Sequence, residues 1–218
     1  MSQYTFHIPP PCEEDIDILY SDDDLLVINK PAGLLSVPGR IVKDCVLNRL
    51  RVDFPEVVVV HRLDLDTSGL LMFSLSRLAT SDLNRQIRER IITKQYVAVV
   101  DGNVEKNTSE ILLPIAPDPI NRPRQLIDHE NGKSAQTRYE VIERLGNHTR
   151  LALTPVTGRS HQLRIHLAEI NHPILGCDLY APERVVNAAD RLLLHASGLQ
   201  FQHPSSKKQL KFVSEPPF

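Results

Sequence analysis

The chain has no tryptophan and only three cysteines, Cys12, Cys45 and Cys177, odd in number and widely scattered. That scatter argues against a disulfide framework and against a zinc cluster, and it suits a reducing compartment. No apolar run approaches the length of a membrane span and no charged-then-apolar leader opens the chain, so a cytoplasmic protein without membrane association is expected. Charge of one sign is missing too: 25 Lys+Arg against 27 Asp+Glu leave a net −2. No global basic field advertises a nucleic-acid partner, and any such surface must be local. Repeats and low-complexity tracts are absent. With 218 residues, the chain can bury about 70% of its unfolded surface, enough for one compact domain or two closely joined lobes.

Residues 1–17 read as an acidic, proline-bearing arm and 18–218 as one domain. Apolar segments at Leu25 to Ile28, Val57 to Val60 and Leu70 to Leu75 predict strands, the last two buried. Lys94 to Val100 alternates as a strand should and puts Tyr96 on the same side as Ala98. Further strands are expected at 110–115, 135–143, 150–155, 191–196, 199–202 and 209–213, the last two joined by a turn at 203–208. Helices are expected at about 44–53, at Arg77 to Ile91, and after Ser160, which can cap the third. Pro117 to Arg124 is a proline-punctuated loop with two arginines. Many strands with few helices imply an α+β fold: a mixed, largely antiparallel sheet flanked by helices, not a regular βαβ repeat.

Two stretches carry chemistry. The first is His61-Arg62-Leu63-Asp64-Leu65-Asp66-Thr67-Ser68-Gly69, polar residues confined between two strands. Asp66 and Gly69 are accounted for by a turn, but His-Arg-Leu-Asp exceeds what a turn needs. It is not a kinase His-Arg-Asp loop, because no glycine-rich phosphate loop or Asp-Phe-Gly accompanies it. The second stretch is Thr157-Gly158-Arg159-Ser160-His161-Gln162-Leu163-Arg164-Ile165-His166. On the predicted helix Leu163, Leu167 and Ile170 face the core, and Arg164 projects away with His161 and Ala168. His161, His166 and His172 do not share a helical face, and no acidic ligand pattern joins them, so no metal is expected. On the helix from Arg77, Ala79, Leu83 and Ile87 face inward while Arg77, Ser81, Arg85 and Arg88 form an outward, cationic-only stripe suited to phosphates.

His-Arg-Leu-Asp-x-x-Thr-Ser-Gly and Gly-Arg-x-His-Gln-Leu-Arg-x-His together resemble the signatures of the RluA-type pseudouridine synthases, RNA-modifying enzymes. Further matches fall in order along the chain: Asn29-Lys30-Pro31-x-Gly33, Lys94-Gln95-Tyr96, Gly132-Lys133-x-Ala135-x-Thr137, His172-Pro173-Ile-x-Gly176 and Arg191-Leu-x-Leu-His195-Ala196. Ser36-Val37-Pro38-Gly39-Arg40, Asn121-Arg122-Pro123 and the chain length resemble the short members of that family, which lack an S4 domain. Fewer than about 25 residues before the first strand leave no room for one.

The resemblance implies the pseudouridine synthase catalytic fold and isomerisation of specific uridines in RNA. For its short members the substrates are a tRNA anticodon-loop uridine and a 23S ribosomal RNA hairpin-loop uridine. It further implies Asp64 as the catalytic group, as nucleophile or base, Arg164 as its cationic partner and Tyr96 as the platform stacking on uracil. Arg62, His61, Arg159, His161, Gln162, Lys133, Arg85 and Arg88 are the candidate RNA-binding residues, Arg62 taking the space of the extruded base. The isomerisation involves no redox change or electron sink, so no cofactor is expected, nor a protein partner beyond a monomer. A silent RNA-binding module would lack Asp64 or Tyr96, and both are present. A histidine-based metal hydrolase is the remaining alternative.

Overall fold

The computed structural model describes residues 9–218; residues 1–8 of the expected arm lie outside the described residues. In chain order the elements are β1 (Asp17–Ser21), β2 (Leu25–Lys30), α1 (Val46–Leu50), β3 (Val58–Val59), β4 (Ser68–Ser74), α2 (Arg77–Arg88) and β5 (Thr93–Asp101). They continue as β6 (Thr108–Ile111), β7 (Ile115–Pro117), β8 (Gln125–Ile127), β9 (Thr137–Leu145), β10 (His148–Pro155), α3 (Gln162–Glu169), α4 (Glu183–Val186), β11 (Leu194–Gln202) and β12 (Gln209–Val213). No helix among the described residues is long and apolar enough to cross a membrane. Where the sequence reads as one domain over 18–218, the chain forms two compact units. Among the described residues, one comprises residues 9–94 with His195–Pro217, the other Gln95–Leu194 with Phe218. Apart from the terminal Phe218, the chain crosses between them within strands β5 and β11, so no linker composition marks the crossings.

In the first unit β4 is central. It runs antiparallel to β2 from Gly69 opposite Lys30 to Ser74 opposite Leu25, and parallel to β11 at Ser68 and Gly69. All seven of its residues are buried, as befits a strand covered on both faces. β1 and β12 extend the sheet antiparallel to β2 and β11. The expected strand over Val57 to Val60 shrinks to the two residues of β3, and Val58 is exposed. A run of four valines satisfies strand propensity, but among the described residues it pairs only with β4. α2 starts at Ser76, whose hydroxyl accepts the Ala79 N–H, and Gln86 bonds both the N–H and C=O of Gln202, tying the helix to the end of β11.

In the second unit β5, β10, β9 and β6 form an antiparallel sheet, with β7 and β8 as a separate hairpin. The single strand expected over 110–115 is broken, Ile111 pairing with Thr137 and Ile115 with Ile127, with Pro114 between them. Conversely, 191–196 and 199–202 merge into one strand, β11. Ala98, Val100, Leu151 and Leu153 of the sheet pack with Leu163 and Leu167 of α3 and with Ile174.

Candidate active site

The motif loop, residues 60–67, connects β3 to β4. A turn from Asp64 to Thr67 is closed by the Thr67 N–H on the Asp64 carbonyl at 3.2 Å. Both neighbours of Asp64 are held by the segment that follows β2. The buried Ser36 hydroxyl donates to the Leu63 carbonyl at 2.7 Å and accepts the Leu63 N–H at 3.1 Å. The Leu65 carbonyl accepts from the Gly33 N–H at 2.9 Å and from Lys30 Nζ at 3.0 Å. Lys30 is itself buried, and its ammonium also donates to the Pro31 and Leu34 carbonyls, both at 2.7 Å. Its three donors thus meet three carbonyls, which is what makes burying an ammonium tolerable. Asp64 sits half-buried between two clamped residues, and Arg62 beside it is exposed.

The exit of the loop is fixed by a polar chain inside the sheet. Ser68 Oγ lies 2.8 Å from His195 Nδ1, His195 Nε2 lies 3.0 Å from Ser214 Oγ, and Ser214 donates to Asn29 Oδ1 at 3.3 Å. With Ser214 donating onward, the Nε2–H of His195 donates to the Ser214 hydroxyl. Gly69 has φ +108, and a Cβ there would stand 2.4 Å from the Ala196 carbonyl oxygen. Only glycine allows β11 to approach β4 so closely. Thr-Ser-Gly and Leu-His-Ala, distant in sequence, are therefore two sides of one joint.

His61 does not present itself to a ligand as expected. Its Nε2 accepts the Met72 N–H at 3.3 Å, and its Nδ1 is buried with no partner among the described residues. Burial, with the Lys94 ammonium nearby, pushes the imidazole well below its usual range. Burial also lowers Lys94 to about 8. The α2 stripe is not cationic only, either. Arg85 bonds Asp82 at 2.9 Å and Glu89 at 2.6 Å, because acidic residues one turn away on either side reach it. Arg77 and Arg88 are exposed.

In the second unit, Tyr96 is half-buried on β5 opposite Leu153, packed against the core. α3 departs most from expectation. Ser160 does not cap it: the first turn hangs on His161 in the left-handed region, φ 54, with no side-chain cap. Nor does Arg164 project away, since Gln162 through Leu167 are all buried. A helical wheel assumes one packing face, and this helix is enclosed on more than one. Arg164 donates to Asp178 Oδ1 at 2.5 Å and to Cys177 Sγ at 3.4 Å, and its guanidinium stands 5.7 Å from the Tyr180 ring centre.

Gln162 is a buried knot, not a surface contact: its amide donates to the Gln136 carbonyl and Thr137 Oγ1 and accepts from Thr157 and the Arg159 N–H. His166 bridges Thr137 Oγ1 and the Leu113 carbonyl. Arg159 Nε donates to the Ser134 carbonyl at 3.1 Å, Lys133 is exposed, and His161 Nδ1 lies 2.7 Å from the Tyr180 hydroxyl.

The family model described as RNA pseudouridylate synthase matches residues 24–169, from just before β2 through α3. The chain belongs to the RNA pseudouridylate synthase family. Among its relatives, a protein of Pasteurella multocida (strain Pm70) named dual-specificity RNA pseudouridine synthase RluA is 47% identical over 96% of this chain and 97% of that one. The protein of the same name from Escherichia coli (strain K12) is 46% identical over the same shares. A solved structure, human RNA pseudouridylate synthase domain containing 1, superposes with TM-score 0.83 at 27% identity, covering 97% of this chain and 87% of that one. The human domain containing 4 shares the fold, with TM-score 0.75 at 24% identity.

The chain is accordingly an RNA-binding enzyme, an isomerase of uridine in RNA, built on the fold expected of it. Lys30, Ser36, His195 and Tyr180 had no role assigned from sequence. Lys30, Ser36 and His195 lie in the motif matches, which was the available signal. Tyr180 lay in none.

Proposed function

We propose that Asp64 carries the isomerisation and, on the motif resemblance to the short members of the family, that the substrates include a tRNA anticodon-loop uridine and a 23S ribosomal RNA hairpin-loop uridine. That relatives bear the name dual-specificity RNA pseudouridine synthase supports more than one RNA target. The observation carrying the residue assignment is the double clamp on Leu63 and Leu65, which fixes the backbone on both sides of a half-buried carboxylate. A fold spends buried polar groups in this way where a side chain must be held to within a fraction of an ångström.

Asp64 acts on the nucleoside as an anion. The N1–ribose bond breaks, the uracil turns, and C5 bonds to the ribose while the C5 proton leaves and N1 takes up a proton, so neither atoms nor electrons are gained or lost. Tyr96 stacks on the base and Arg164 brings positive charge to the carboxylate, roles that rest on the motif matches. Arg62, Arg159, His161, Lys133 and Arg88 contact RNA, with Arg62 filling the gap left by the extruded uridine. We assign His61, Gln162 and Arg85 instead to holding the fold. The enzyme works as a monomer in the cytoplasm and requires no cofactor or metal.

The test is Asp64→Asn, measured by single-turnover conversion and by equilibrium binding on the same unmodified tRNA and 23S transcripts without added metal. Binding within about threefold of wild type with conversion abolished is expected. Conversion within about tenfold of wild type, a barrier change of only about 1.4 kcal/mol, would remove Asp64 from the chemistry.

A further inference from the structure

Tyr180 lies between α3 and the β7–β8 hairpin and makes polar and ring contacts with both. Its hydroxyl accepts the Gln125 N–H at 2.8 Å, at the first residue of β8, and lies 2.7 Å from His161 Nδ1, at the residue that opens α3. The Arg124 guanidinium, from the hairpin loop, stands 5.5 Å from its ring centre, and that of Arg164, from α3, 5.7 Å. Both lie within the range of a favourable cation–ring interaction. Both guanidiniums are attracted to the one ring, and the Asp178 carboxylate on Arg164 offsets their mutual repulsion. His161 is held at φ 54, a left-handed conformation that a non-glycine residue keeps only where its surroundings impose it. The hydrogen bond to Tyr180 is one such constraint.

We propose that Tyr180 is a positioning residue that registers the arginine-bearing β7–β8 loop against Arg164, so that RNA held by the loop is presented in a fixed relation to the guanidinium serving the reaction. The hydroxyl sets the loop and His161, and the ring sets the two arginines. This rests on the synthase reading above. Arg122 and Arg124 are exposed and Arg164 is buried, so the loop arginines are free to meet phosphates while Arg164 is not.

The two halves of the side chain separate by substitution. Tyr180→Phe keeps the ring and removes the tether to Gln125 and His161. Tyr180→Leu removes both. RNA affinity, the single-turnover rate at saturating RNA and the urea midpoint are measured for each, together with Arg124→Ala alone and combined with Tyr180→Phe. Tyr180→Phe is expected to weaken RNA binding about tenfold with a much smaller change in the saturating rate. Tyr180→Leu is expected also to lower the saturating rate, by about thirtyfold. Arg124→Ala should cost less affinity in the Tyr180→Phe background than in wild type, because an arginine on an unregistered loop already contributes less.

A residue with a merely structural role would lower the urea midpoint without this split between affinity and rate and without the coupling to Arg124. Additive effects of Arg124→Ala and Tyr180→Phe, or wild-type affinity in Tyr180→Phe, overturn the proposal. If wild-type protein itself made no pseudouridine, the synthase reading would fail, an outcome distinct from either.

Discussion

Ser36→Ala deletes one oxygen atom and tests whether the loop bearing Asp64 is held from outside. In the native protein that oxygen satisfies both the N–H and the C=O of Leu63, and all three groups are buried. Removing it strands a backbone donor and an acceptor, each costing about 1–3 kcal/mol, partly offset because a hydroxyl no longer has to be desolvated. A net loss of about 2–4 kcal/mol follows, which for a chain of this size lowers the melting temperature by roughly 5–15 °C. The effect on turnover has a separate origin. Leu63 adjoins Asp64, and displacement of a reacting group by about 1 Å can cost about a hundredfold in rate. Urea denaturation and single-turnover conversion of the same preparation, at a temperature where the variant is fully folded, measure the two effects. Lys30 still holds Leu65, so conversion should fall without vanishing. An unfolding midpoint equal to wild type together with conversion within about twofold would show that the Ser36 bonds hold nothing that catalysis needs.

Gly69→Ala should be worse for stability than for any contact with RNA, since the new Cβ would stand 2.4 Å from the Ala196 carbonyl at φ +108; a loss of more than about 3 kcal/mol in urea denaturation is expected from strain plus overpacking, and a midpoint near wild type would mean that β4 and β11 are not joined this closely. Burial lowers Lys94 to about 8 in the folded protein, below an unfolded value of about 10.4, so between those values the unfolded chain binds more protons and stability rises with pH. Lys94→Met should abolish that rise and be more stable at neutral pH, as urea midpoints across the range will show. The exposed Arg77 and Arg88 should each, when replaced by alanine, flatten the salt dependence of RNA affinity by about 0.7–0.9, whereas Arg85, engaged by Asp82 and Glu89, should change it less. Equal slopes for all three variants would contradict the ion pairing.

The elements most legible in sequence were those whose pattern is local. Leu25 to Ile28 and Leu70 to Leu75 are continuous apolar runs, and both became buried strands. The spacing of Ala79, Leu83 and Ile87 marked α2, and the 203–208 turn fell between β11 and β12. Less legible were features that depend on what packs from elsewhere. Val57 to Val60 has stronger strand propensity than most of the chain, yet only two of its residues pair. α3 read as amphipathic but is enclosed, so Arg164 is buried on an acidic partner that nothing in the wheel suggested.

By itself, the sequence determined the fold class, the family and the identity of Asp64 as the residue to test, because those follow from residue type, local periodicity and motif order along the chain. The tertiary structure alone decided how that residue is held: Lys30 and Ser36 on its neighbours' backbone, His195 on Ser68, and the Ala196 backbone against Gly69. It also decided that His61 and Gln162 face inward and that Tyr180 stands between two arginines. Hydrogen bonds to backbone groups leave no periodic trace in sequence, since any residue can supply the N–H or C=O they use. Their partners become visible only when chain segments far apart in sequence fold to within about 3 Å of each other.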